Sequence, residues 1–151
     1  MDNIFKILCF LPIEIVYMIL PYTYEPQSKA LTNDIKTFYT IRANAYKLYY
    51  ERFVVRLCEP EPSDKDWFIN DLIRFANQSI ATMNGYVDNF YNLFLRNVSL
   101  KTKEEVLIYF QKIETREVSS QINIVWGLFT SEERNTFLRV YYPNYIIAYL
   151  T

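Results

Sequence analysis

Apolar residues recur three and four positions apart along most of this chain, and the runs are bracketed by residues that start and stop helices. Such spacing gathers the apolar side chains on one stripe of a helix. Strand-like alternation is scarce. The pattern predicts an all-α fold, a compact bundle of about seven or eight helices with short connections. A first helix is expected over residues 12–20. Pro12 suits its first position because the missing N–H would be unpaired there anyway, and Pro21 is expected to stop it. A turn containing Pro26 follows. A second helix is expected over 28–39, with Leu31, Ile35 and Phe38 on one face. A third, over 41–57, carries the stripe Tyr46, Tyr49, Tyr50, Phe53 and Leu57 opposite a solvated face of Arg42, Lys47, Glu51 and Arg52.

The clearest break is Glu59-Pro60-Glu61-Pro62-Ser63, where two prolines favour an extended connector. It divides the chain into a three-helix unit (1–58), a connector (59–63) and a helical domain (64–151). Ser63 with Asp66 is a variant of the capping box. It opens a helix expected to reach Met83, burying Ile69, Leu72, Ile73, Ala76, Ile80 and Met83, with Asn84-Gly85 supplying the termination. Residues 86–96 present Val87, Phe90, Tyr91, Phe94 and Leu95, with Val98 beyond. Thr102 and Glu105 form another capping box. Over 117–129 two patterns compete: Gln121 to Val125 alternates like a strand, whereas Val118, Ile122, Val125, Trp126 and Phe129 keep helical spacing, which is favoured. Thr130-Ser131 before Glu132-Glu133 starts a further helix, the acids facing the positive end of its dipole. Pro143 begins a last apolar turn over 145–150.

The chemistry the chain can support is narrow. It contains no histidine, so the commonest general base, the Ser-His and Cys-His nucleophile systems and most zinc sites are absent. Its two glycines, Gly85 and Gly127, are too few for a phosphate-cradling loop. The paired carboxylates (Glu59/Glu61, Asp64/Asp66, Glu104/Glu105, Glu132/Glu133) sit in the connector or at helix starts rather than across a cleft. No catalytic, metal or cofactor residue and no small-molecule substrate is therefore expected. The net charge is −1 and the charges are interspersed, which leaves no footprint for nucleic acid; the basic-aromatic stretch 42–56 reads better as a helix with a tyrosine core face. Cys9 and Cys58 are expected to be buried thiols in a reducing compartment, with a Cys9–Cys58 disulfide as the alternative. Residues 4–20 are apolar, but Lys6, Pro12 and Glu14 interrupt them, so a core segment is expected rather than a leader or a membrane span.

What remains is protein binding. Aromatic residues make up 18% of the chain, with 14 Tyr, and tyrosine suits half-buried and interface positions. Leu11-Pro12-Ile13-Glu14-Ile15 followed by Ile19-Leu20 resembles the opening of an F-box. Gln27, Leu31, Asp34-Ile35 and Phe38 resemble the second helix of the diverged F-box-like openings found in proteins of large DNA viruses. The resemblance covers residues 8–56. It implies an adaptor that docks through Leu11, Pro12, Ile15, Ile19 and Leu20 onto the linker subunit of a cullin ubiquitin ligase, while the rest of the chain selects a target. The segment 22–29 departs from the usual loop, and no common target-reading repeat follows Ser63.

Abundant Ile, Asn, Tyr, Phe and Lys with few Gly and Ala is the composition expected from an A+T-rich genome, as in large DNA viruses. The leading expectation is a viral structural protein, such as a minor capsid component, binding other viral structural proteins in the virion or host cytoplasm. Its apolar first ten and last eight residues would be packed or gripped by neighbours. The F-box-like adaptor is second, and an enzyme third. Tyr46, Tyr49 and Tyr50 are the candidate interface on the third helix, with Tyr141, Tyr142 and Tyr145 next.

Overall fold

A computed structural model of the chain describes residues 11–24, 28–58 and 62–143, without the side chains of 19–24. Among the described residues there are seven α-helices and no strand. They are α1 (Ile13–Tyr24), α2 (Lys29–Tyr49), α3 (Asp64–Ala76), α4 (Asp88–Phe94), α5 (Lys103–Glu114), α6 (Val118–Leu128) and α7 (Ser131–Tyr141). The all-α bundle expected from the spacing is the fold observed. The chain forms two compact units, divided between Asn33 and Asp34.

In the first unit, the Pro12 carbonyl accepts from the N–H groups of Ile15 and Val16 at 3.0 and 3.1 Å, which starts α1 one residue later than expected. Pro21 does not stop it. A proline inside a helix removes one hydrogen bond and crowds the preceding turn, and α1 continues to Tyr24 regardless. Ser28 caps α2, its Oγ accepting from Leu31 N–H at 3.2 Å.

The second unit carries the core. The two helices expected over 28–39 and 41–57 are one element, because no proline or glycine interrupts them. Thr40 stays helical with its hydroxyl donating to the Lys36 carbonyl at 3.1 Å. From Tyr50 to Arg56 the helix widens into a π segment, closed by Leu57 N–H donating to Arg52 O, five residues back. The wider turn keeps Phe53 inside and leaves Val55 and Leu57 exposed. The chain then turns through Cys58 at φ 55°, and this thiol is exposed rather than buried as expected. Cys9 lies outside the described residues.

Phe68 of α3 is the centre of the packing. Its ring lies 4.7 Å from Tyr49, 5.2 Å from Tyr46, 5.8 Å from Trp126 and 5.9 Å from Phe137, so it touches α2, α6 and α7 at once. A second aromatic group, Tyr86, Phe90, Phe94 and Phe110, joins α4 to α5. Arg134 is buried at 3% exposure and is paired. It pairs with Asp34 at 2.9 Å, donates to the Trp126 carbonyl at 3.3 Å and lies over the Phe38 ring. Residues 34–58 thus pack with the helices beyond the proline-rich connector, in one unit, because the aromatic face of α2 is completed by Phe68 and Trp126.

α3 ends at Ala76, seven residues before the expected end at Met83. Asn77 is fully buried and holds the following loop. Its Nδ2 donates to the carbonyls of Ile80 and Gly85, each at 3.0 Å, and its Oδ1 accepts from Val87 N–H at 2.8 Å. Gln78 and Ser79 close the helix, their N–H groups reaching Phe75 O and Arg74 O at 3.1 and 2.8 Å. That is a Schellman termination with Gln78, at φ 52°, in the left-handed place where glycine is usual. Ile80 and Met83, expected on the buried face, are exposed in consequence. Gly85, at φ 89°, follows a short 3₁₀ turn, Thr82–Asn84.

Candidate interaction surfaces

Helix α1 is apolar nearly all round. Glu14 is the one charge between Ile13 and Tyr24. Such a helix is normally buried. Here Ile13, Tyr17 and Met18 are 57%, 68% and 68% exposed and Ile15 is 40% exposed; Val16 is half-buried. Ile13 and Tyr17 are four residues apart, and Ile15 and Met18 three, so each pair forms a row along the helix. Of the residues the F-box resemblance names, Pro12 and Ile15 are exposed and Leu11 is half-buried. The side chains of Ile19 and Leu20 lie outside those described.

The three candidate tyrosines of α2 separate. Tyr49 is fully buried and leaves the candidate interface. It stacks on Phe68, and its hydroxyl donates to Asp71 Oδ2 at 2.7 Å. Burial, with the Asp71 carboxylate beside it, pushes the Tyr49 hydroxyl well above the usual tyrosine range. Burial also raises the Asp71 carboxyl, against the lowering by the Tyr49 hydrogen bond and by Arg52 and Arg74. This is a polar strut of the core. Tyr46 is half-buried against Phe68. Tyr50, at 52% exposure where the π segment begins, is the one that stays at the surface. Tyr141 and Tyr142 are half-buried, their hydroxyls raised to about 12 mainly by burial. Tyr145 and the expected turn over 145–150 lie outside the described residues, as do both apolar ends.

The carboxylates at helix starts act as caps. Asp66, Glu105 and Glu133 each complete a capping box, with Ser63, Thr102 and Thr130. Glu117 caps α6, accepting from the N–H groups of Ser119 and Ser120, and the segment expected over 117–129 is a helix, Val118–Leu128, rather than a strand. Glu133 does more. Arg96 grips both its oxygens, at 2.6 and 2.8 Å, and this bidentate bond holds the carboxyl down at about 2. Among the described residues no group of three or more potential ligands could hold a metal ion, and no helix is long and apolar enough to cross a membrane.

Asn77, Gln78, Ser79 and Arg96 were not singled out by sequence reasoning. Asn77 looks like any polar residue near a helix end, and its role depends on carbonyls three and eight residues away. Arg96 is matched to Glu133 across 37 positions. No known protein family, curated protein or solved structure matches the chain.

Proposed function

We propose that this chain is a non-enzymatic protein–protein interaction protein, a structural component of a large DNA virus such as a minor capsid protein, which docks on its partner through α1. The observation that carries this reading is the exposure of Ile13, Ile15, Tyr17 and Met18 on a helix with a single charge. Contiguous apolar surface on a soluble unit marks a binding site, and rows of side chains three and four apart are what a helix lays into a partner's groove. The absence of histidine supports the non-enzymatic reading, and the A+T-rich composition supports the viral one.

A second reading is favoured by one specific observation. Pro12 and Ile15, which the F-box resemblance assigns to docking on a ubiquitin-ligase linker subunit, are exposed at the start of α1, where docking requires them. Affinity capture from infected or expressing cells separates the two, comparing the natural chain with an Ile15→Asp/Met18→Asp variant shown folded by circular dichroism. Viral structural proteins captured by the natural chain and lost by the variant support the structural reading. Cullin-ligase subunits captured and lost in the same way support the adaptor. Equal capture by both chains would remove α1 as the docking helix.

A further inference from the structure

The loop between α3 and α4 contains a pair of residues that the proposed function leaves unused. Asn84 is the one asparagine of the chain followed by glycine. The pair does not end α3; it closes the short turn Thr82–Asn84. Both residues are exposed. Glycine is required at 85, where φ of 89° and ψ of 179° fall in a region essentially closed to residues with a Cβ. Asparagine is not required at 84, because its side chain has no partner among the described residues.

An asparagine before glycine can react with its own main chain. The Gly85 nitrogen, having lost its proton to hydroxide, attacks Asn84 Cγ. The new C–N bond closes a succinimide ring as the Cγ–Nδ2 bond breaks, and the departing nitrogen takes a proton from water and leaves as ammonia. Water then opens the ring at either carbonyl, giving aspartate or isoaspartate. In sum, water is consumed and ammonia released. Every other asparagine of the chain precedes a residue whose side chain crowds the attacking nitrogen. At Gly85, apart from its chain neighbours, no atom lies within 4 Å of where a Cβ would sit.

The fold opposes this reaction while the turn is closed. Gly85 N–H donates to the Thr82 carbonyl at 2.9 Å, so its proton is not free to leave. The Gly85 carbonyl accepts from buried Asn77 Nδ2 at 3.0 Å, which holds the other side of the same residue. Attack therefore runs through the open turn, the state that also exchanges the Gly85 amide hydrogen. We infer that Asn84 is a site of spontaneous deamidation, paced by the opening of a turn that Asn77 holds closed. Isoaspartate inserts a methylene into the main chain just before Gly85, so the product pulls the Gly85 carbonyl away from Asn77 and releases the loop.

The test is incubation of the folded full chain at mildly alkaline pH, with its proteolytic peptides followed by mass spectrometry and isoaspartate read by isoaspartyl methyltransferase labelling. Isoaspartate should appear at Asn84 before any other asparagine. Asn84→Gln should abolish the signal at this position with the fold unchanged, since the longer side chain closes a larger ring far more slowly. The folded chain should react at least about fivefold more slowly than the urea-unfolded chain, the worth of one net hydrogen bond. A folded Asn77→Ala variant should lose most of that protection. If Asn77→Ala does not fold, the natural chain in urea below its unfolding transition takes its place: modification at Asn84 and hydrogen exchange at the Gly85 amide should rise in step. Modification first at another asparagine would overturn the inference. So would equal rates in the folded and unfolded chains, an unchanged rate in folded Asn77→Ala, or a rise in Gly85 exchange without a rise in modification.

Discussion

Helices α1 and α3 are nearly the same length, 12 and 13 residues, and their apolar residues have opposite fates. α3 carries four acidic or basic residues in its first and last turns and still buries Phe68, Ile69, Leu72 and Ala76. α1 carries one charge and, among its described side chains, buries none completely. Apolar content does not decide burial. α3 is buried because its apolar residues fall on one stripe that meets α2, α6 and α7, whereas α1 spreads its apolar residues around the helix. The exposed side chains of Ile13, Ile15, Tyr17 and Met18 leave apolar surface to give to another molecule, and a stripe inside a completed core has none.

The largest effect that would test this contrast is at Phe68. Phe68→Ala should cost about 3–5 kcal/mol in urea unfolding, because it empties the point where four helix faces meet. A loss as small as that at a surface site would mean the core can collapse around the gap. Asn77→Ala should cost about 3 kcal/mol, since three buried hydrogen bonds disappear together. Hydrogen exchange should report it locally, with the Val87 amide losing protection first.

Glu133 gives the comparison a pH axis. Its carboxyl is held at about 2 in the folded chain against 4.5 ordinarily. The stabilisation is therefore complete above about 4.5 and is lost as pH falls towards 2. Glu133→Gln should flatten the acid limb of the stability curve in that window. Asp71, with its carboxyl raised, works in the opposite sense: protonation favours the folded state as pH falls. Asp71→Asn should therefore steepen the acid loss.

Smaller effects follow at the surface. Gln78→Gly should stabilise the chain by about 0.5–1 kcal/mol, because glycine takes the left-handed place without the crowding a Cβ brings. Met18→Ser should change stability by no more than about 0.5 kcal/mol, since the side chain is exposed, yet weaken capture of the docking partner. A large stability loss at Met18 would place α1 among the core helices and end the contrast.

The sequence by itself determined the all-helical class and the starts of α3, α5 and α7, because a capping box is closed within four residues: Ser63 with Asp66, Thr102 with Glu105, Thr130 with Glu133. It also indicated much of the buried stripe of α3 and of α4, where Phe90 and Phe94 are core as spaced. Tertiary structure decided the rest. The period of apolar residues gives Tyr49 and Tyr50 equal standing; the π segment and the partner at Asp71 separate them into core and surface. α2 is one helix because a change of apolar face is not a stop signal in the backbone. α3 stops at Asn77 without a glycine or proline, because three distant backbone groups supply what the helix would have supplied. The exposure of Ile13, Ile15, Tyr17 and Met18 was equally beyond local reading, because apolar spacing alone does not say which side chains of a helix stay at the surface.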